Sequence, residues 1–161
     1  MISIQSDDTK GAYAHYSKTA AAEDIGGTTP IAVGWDTEDH EDSAFSHDNV
    51  TNNSRVTVAA TGRYAIISTV SFNNTVTNKI WRGSCYLRVD GTTDKKQCIA
   101  RAESPDGSGR EFCSFKIITE LEITAASYIE VMTAQEFEDA AGTPTVNTIN
   151  GECELIIRRI G

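Results

Sequence analysis

The stretch WDTEDHED, residues 35–42, holds the densest set of groups that could do chemistry. Asp36, Glu38, Asp39, Glu41 and Asp42 surround His40. Calcium takes about six to eight hard oxygen ligands, and such a run can supply several. The spacing does not fit the helix-loop-helix calcium loop, which needs a central Gly and a closing Glu. Two readings stay open here, a calcium site and a solvated acidic loop. The other histidines are His15 and His47. No Gly-x-Ser-x-Gly elbow is present to activate a serine, and no Gly-rich loop opens a helix to cradle a phosphate. No catalytic residue, cofactor or metal-ligand set is assigned, and the chain is expected not to be an enzyme.

Cysteines stand at positions 85, 98, 113 and 153. None forms a Cys-x-x-Cys pair or has a His at zinc-ligand spacing. Cys85 and Cys98 flank the Asp-Gly of DGTT, a hairpin signal. With Gly91 and Thr92 as a two-residue loop, Cys85 falls opposite Cys98. A cross-strand disulfide is then geometrically conceivable. Reduced, buried thiols are the favoured alternative in a chain without a signal peptide.

Period-two alternation dominates the elements that must carry these groups. In RVTVAATGRYAIISTVSFNN, residues 55–74, Tyr64, Ile66, Ser68, Val70 and Phe72 share one face. Ala65, Ile67, Thr69 and Ser71 share the other, because successive side chains of a strand point to opposite sides. Gly62 stands just before, where a turn residue belongs. Similar strands are predicted at 12–17, 31–35, 43–47, 55–59, 80–90, 95–103, 111–123, 127–135 and 152–160. The segments 18–24 and 136–142 are read as loops. Many short strands with hardly any helical periodicity predict an all-β sandwich or barrel.

The chain of 161 residues suits one domain. Residues 1–10, polar and acidic, are expected to form an N-terminal arm, and 11–161 a single folded domain. A net charge of −9 argues against nucleic acid, which needs clustered Lys and Arg. Lys95-Lys96 and Arg158-Arg159 are too short for such a footprint. No apolar run approaches the roughly 18 residues of a membrane helix, so no membrane partner is expected. The start MISIQSDDTKGAYAHYS lacks the marks of a signal peptide. The sequons at Asn49, Asn52 and Asn73 would matter only in a secretory pathway.

The segment AFSHDNVTNNSRVTVAATGRYAIISTVSF resembles the centre of the tumour necrosis factor and complement C-one-q superfamily. The residues that carry the resemblance are Phe45, then Val56 and Val58, then Gly62, Tyr64, Ile66 and Val70. Downstream, YLRVDG, FKIITELEITAASYIEVMTAQ and GECELIIRRIG follow the order of the later strands, with Leu155 and Ile157 in the closing one. The closing strand is aliphatic where the superfamily is usually aromatic. The loop 104–110 has no fixed counterpart there. The resemblance implies a ten-stranded antiparallel jelly-roll β-sandwich that assembles as a homotrimer and is not an enzyme. It implies a core signature of Phe45, Gly62, Tyr64, Ile66, Val70, Phe72, Leu155 and Ile157. Some members bind calcium near the trimer axis, which bears on residues 35–42.

In EFCSFKIITELEI, residues 111–123, Cys113, Phe115, Ile117, Leu121 and Ile123 alternate inward, while Phe112 and Ile118 point out. Phe112 and Ile118 are therefore expected at the trimer interface. A bare head domain without a signal peptide is expected to be made in a host cytoplasm and carried on a virion. The expected role is a bacteriophage capsid decoration (cement) protein, whose partners are itself and a major capsid protein or another virion protein. The rival role is a receptor- or glycan-binding head at a fibre tip or cell surface, with Trp35 and Trp81 as the Trp candidates for sugar stacking, Trp81 being read rather as packed at a strand start.

Overall fold

The computed structural model describes residues 11–20, 22–27, 29–74, 81–104, 111–138 and 146–161. The expected N-terminal arm, 1–10, and the loop 105–110 lie outside the described residues. Twelve strand segments are present among the described residues. They are β1 (Tyr13–Lys18), β2 (Ile31–Ala32), β3 (Thr37–Glu41), β4 (Phe45–His47), β5 (Val56–Val58) and β6 (Gly62–Asn74). The second half holds β7 (Trp81–Val89), β8 (Thr93–Ser104), β9 (Glu111–Ile123), β10 (Tyr128–Glu138), β11 (Val146–Thr148) and β12 (Cys153–Arg159).

The strands form two antiparallel sheets. In the first, β6 is flanked by β9 on one side and by β12 and β11 on the other, and β12 continues to β1 and β3. In the second, the order is β4-β5-β10-β7-β8, with β2 also beside β10. This is a jelly-roll sandwich, as the resemblance implies, where the alternation predicted an all-β sandwich or barrel.

The alternation becomes the core directly. Tyr64, Ile66, Val70 and Phe72 of β6 point into the sandwich, beside Leu155 and Ile157 of β12 and Phe45 of β4. Gly62 is the first residue of β6 rather than a turn. A Cβ there would collide with the Gly161 carbonyl, so the closing end of the chain requires the missing side chain.

Phe72 stacks on Phe115 at 4.8 Å and meets the edge of Trp81 at 5.0 Å, which joins the two sheets. The Trp81 indole lies over Gly83, where a Cβ would collide with the ring. Trp81 is fully buried and has no room to retreat. Gly83→Ala is therefore expected to cost about 1–3 kcal/mol through overpacking. The check is the urea midpoint, and an unchanged midpoint would contradict the packing described.

Four expectations need correction. The run 35–42 is not a loop. Its middle is β3, paired along β1 from Ala14↔Glu41 to Ser17↔Thr37. Backbone pairing to β1 supplies the order that the acidic side chains do not. Among the described residues there are twelve strand segments where ten were expected, because β3 and β11 carried no apolar alternation.

The hairpin register also differs. Asp90 and Gly91 both adopt positive φ, 52° and 67°, and pairing starts only at Val89↔Thr93. The connection is three residues long, and a register shift between Cys85 and Leu87 follows. Cys85 thus lies opposite Ala100, not Cys98, and is a free thiol, as are Cys113 and Cys153. Burial pushes the Cys85 thiol far above its ordinary pKa, so it is inert. Finally, Trp35 and Trp81 are both fully buried, so neither presents a face to a sugar.

Candidate protein-interaction face

The outer face of the first sheet is where the fold leaves apolar surface uncovered. Register determines what meets there. Ile156 of β12 is opposite Ile67 of β6, and Ile67 is opposite Ile118 of β9. His15 of β1 completes the row beside Ile156. The adjacent row runs Tyr13, Arg158, Ala65 and Glu120. Ile118 is 70% exposed and Tyr13 is 42% exposed. Between the rows lies a groove of about 510 Å³ lined by Gly11, Tyr13, Ala65, Ile67, Ile156 and Arg158. A contiguous apolar row framed by charge marks a protein-contact surface more often than scattered exposed side chains do.

Around the apolar row on β9, β6 and β12 the charges are of both signs, in a chain of net charge −9, while the rim at β1 and β3 is acidic. Arg63, Lys116 and Arg158 stand with Glu120, Glu122 and Glu154 around the apolar row. Arg63 Nη2 meets Glu120 Oε2 at 2.5 Å. In one row the cation is on β12 and the anion on β9 (Arg158, Glu120). In another the order is reversed (Glu154, Lys116). Charges of both signs beside the apolar row are thus available to pair with charges on a second copy.

The rim of this face, at β1 and β3, carries His15, His40 and part of the acidic run. His15 Nε2 lies 3.6 Å from Glu154 Oε2 and 3.9 Å from Asp39 Oδ2. The His40 ring stacks on Tyr13 at 4.1 Å, and its Nε2 is 3.1 Å from Asp42 Oδ1. His47 points inward. Its Nε2 donates to the Asn53 carbonyl at 2.9 Å, and its Nδ1 is 3.3 Å from Glu38 Oε1.

The carboxylates of residues 36–42 are thus spread over both faces of a strand and engaged separately. Tyr16 donates its hydroxyl to Glu41 at 2.7 Å, and burial first, then this bond, raises the Tyr16 pKa well above the ordinary phenol range. For Asp36, burial acts to raise the pKa. Donation from the Thr19 and Ala20 backbone and from hydroxyls outweighs it and holds the carboxyl below its usual value. Asp42 is held low chiefly by the Tyr13 backbone N–H. Among the described residues, no group of three His, Cys, Asp or Glu side chains is arranged to hold a metal ion.

Of the two residues expected at a trimer interface, Ile118 stands in the apolar row. The Phe112 backbone is opposite Asn73, while its side chain lies outside the described ones. Sequence reasoning passed over Tyr13, Ala65, Ile67 and Ile156. The signal was present in AIIS and ELII, where both faces of the strand are apolar, but only cross-strand register unites them.

Solved structures provide the comparison. The fold is similar to Eiger TNF from S. frugiperda, at 11% identity and a TM-score of 0.59, covering 94% of each chain. It is similar to murine APRIL at 12% identity and a TM-score of 0.58, covering 93% of this chain and 99% of that one. The chain therefore has a TNF-like jelly-roll fold. No protein-family model matches it, and no curated protein matches it in sequence. Among the described residues, no helix is long and apolar enough to cross a membrane.

Proposed function

We propose that this protein is a non-enzymatic module that self-associates as a homotrimer through the outer face of its first sheet. The observation that carries this is the Ile156–Ile67–Ile118 row, with charges of both signs beside it. The particular role we propose is decoration of a phage capsid. A trimer would bridge neighbouring capsid subunits, and the buried contact would resist the outward pressure of packaged DNA. The TNF-like fold and the acidic composition support this reading, as does the lack of any nucleophile elbow.

Light scattering after size exclusion tests the assembly. The expected mass is three times 17.4 kDa, and a monomer at every concentration would remove the proposal. Co-sedimentation with undecorated capsids of the same virus tests the role. A trimer that stays in the supernatant and instead binds host cells would replace decoration with receptor binding.

A further inference from the structure

We infer that self-association through this face takes up protons at His15 and His40, so that mild acid tightens the assembly. The inference rests on the self-association proposed above and adds its regulation.

His15 belongs to the apolar row itself, directly beside Ile156. His40 is stacked on Tyr13, which lines the groove. A copy that covers Ile67 and Ile156 must therefore also cover these two rings and the carboxylates next to them. The groups facing His15 are Asp39 and His40 on β3, Glu154 and Arg158 on β12, and Tyr13 and Ser17 on its own strand. Glu152 lines the same hollow, about 410 Å³, that His15, Asp39 and Glu154 share. The groups facing His40 are Asp42, Tyr13 and His15. Glu38 and Glu41 are engaged elsewhere, by His47 and Tyr16.

With neutral imidazoles, this rim holds Asp39, Asp42, Glu152 and Glu154 against Arg158. Covering carboxylates in excess of the cations beside them is costly, because water no longer solvates them. An imidazolium between Glu154 and Asp39, and another against Asp42, offsets that cost. The assembled state then favours the charged histidines more than the free subunit does. Histidine changes charge between about pH 5 and 8. Assembly that takes up protons strengthens as pH falls and weakens as pH rises. Each proton taken up changes the association constant by up to about tenfold per pH unit.

Sedimentation equilibrium at pH 8.0 and 5.5, at constant salt, tests this. The wild-type dissociation constant is expected to fall by tenfold or more at pH 5.5. The double variant His15→Gln/His40→Gln is expected to flatten that dependence, with folding checked by circular dichroism. Asp39→Asn/Glu154→Gln should act in the opposite sense, tightening assembly at pH 8.0 and also flattening the profile. Undiminished acid tightening in the histidine variant would overturn the inference. So would wild-type self-association that ignores pH, although the trimer would then stand. A protein that is monomeric at both pH values would overturn the inference and the trimer together.

Discussion

Ile67→Asp is expected to leave the protein folded and monomeric. Ile67 occupies the middle of the apolar row, between Ile156 and Ile118, and points away from the sandwich core. In the free subunit the new carboxylate reaches water, so the fold loses little. In the assembly it would be buried against apolar neighbours without a cation. An uncompensated buried charge costs about 3–5 kcal/mol. At about 1.4 kcal/mol per decade, association weakens by roughly 10² to 10³-fold or more. Sedimentation velocity at micromolar concentration reads the change directly. A variant with unaltered mass would show that this face is not the contact, whatever the oligomeric state of the wild type.

Phe72→Ala is expected to have the largest effect on stability, a loss of about 3–5 kcal/mol. Its ring is fully buried, stacked on Phe115 of its own sheet and edge-on to Trp81 of the other. Truncation removes aromatic contact from both sheets and leaves a cavity that two strands cannot close by small shifts. Since a domain of this size has a stability of about 5–15 kcal/mol, the variant should unfold at a much lower urea concentration. Phe72→Leu should recover part of the loss. A truncation costing under about 1 kcal/mol would mean that the three rings do not hold the sheets together.

Some of this was legible in the sequence and some was not. A strand such as 64–72, with large apolar residues at alternate positions, is readable because side-chain direction alternates with every residue. That is a local property, and it groups Tyr64, Ile66, Val70 and Phe72, which are buried in the sandwich; Leu155 and Ile157 were singled out by the resemblance. β3 was hidden for the opposite reason. Its residues have low strand propensity, and it exists because β1 offers a ladder that Thr37–Glu41 can join. The hairpin register failed at one residue of loop length. A period of two converts any such slip into different cross-strand neighbours, and so Cys85 meets Ala100.

By itself, the sequence determined that this is an all-β chain and which face of its most regular strands turns inward; for the acidic run 35–42 both a loop and a calcium site stayed open. Only the tertiary structure decided what the outer face is. Ile67, Ile118 and Ile156 come from three distant segments, and His15 and His40 from two more. Each is unremarkable where it stands in the chain. Hydrogen-bond register between β9, β6, β12, β1 and β3 sets them side by side. Register depends on loop lengths, bulges and the collective packing of both sheets, quantities that no short stretch of sequence contains.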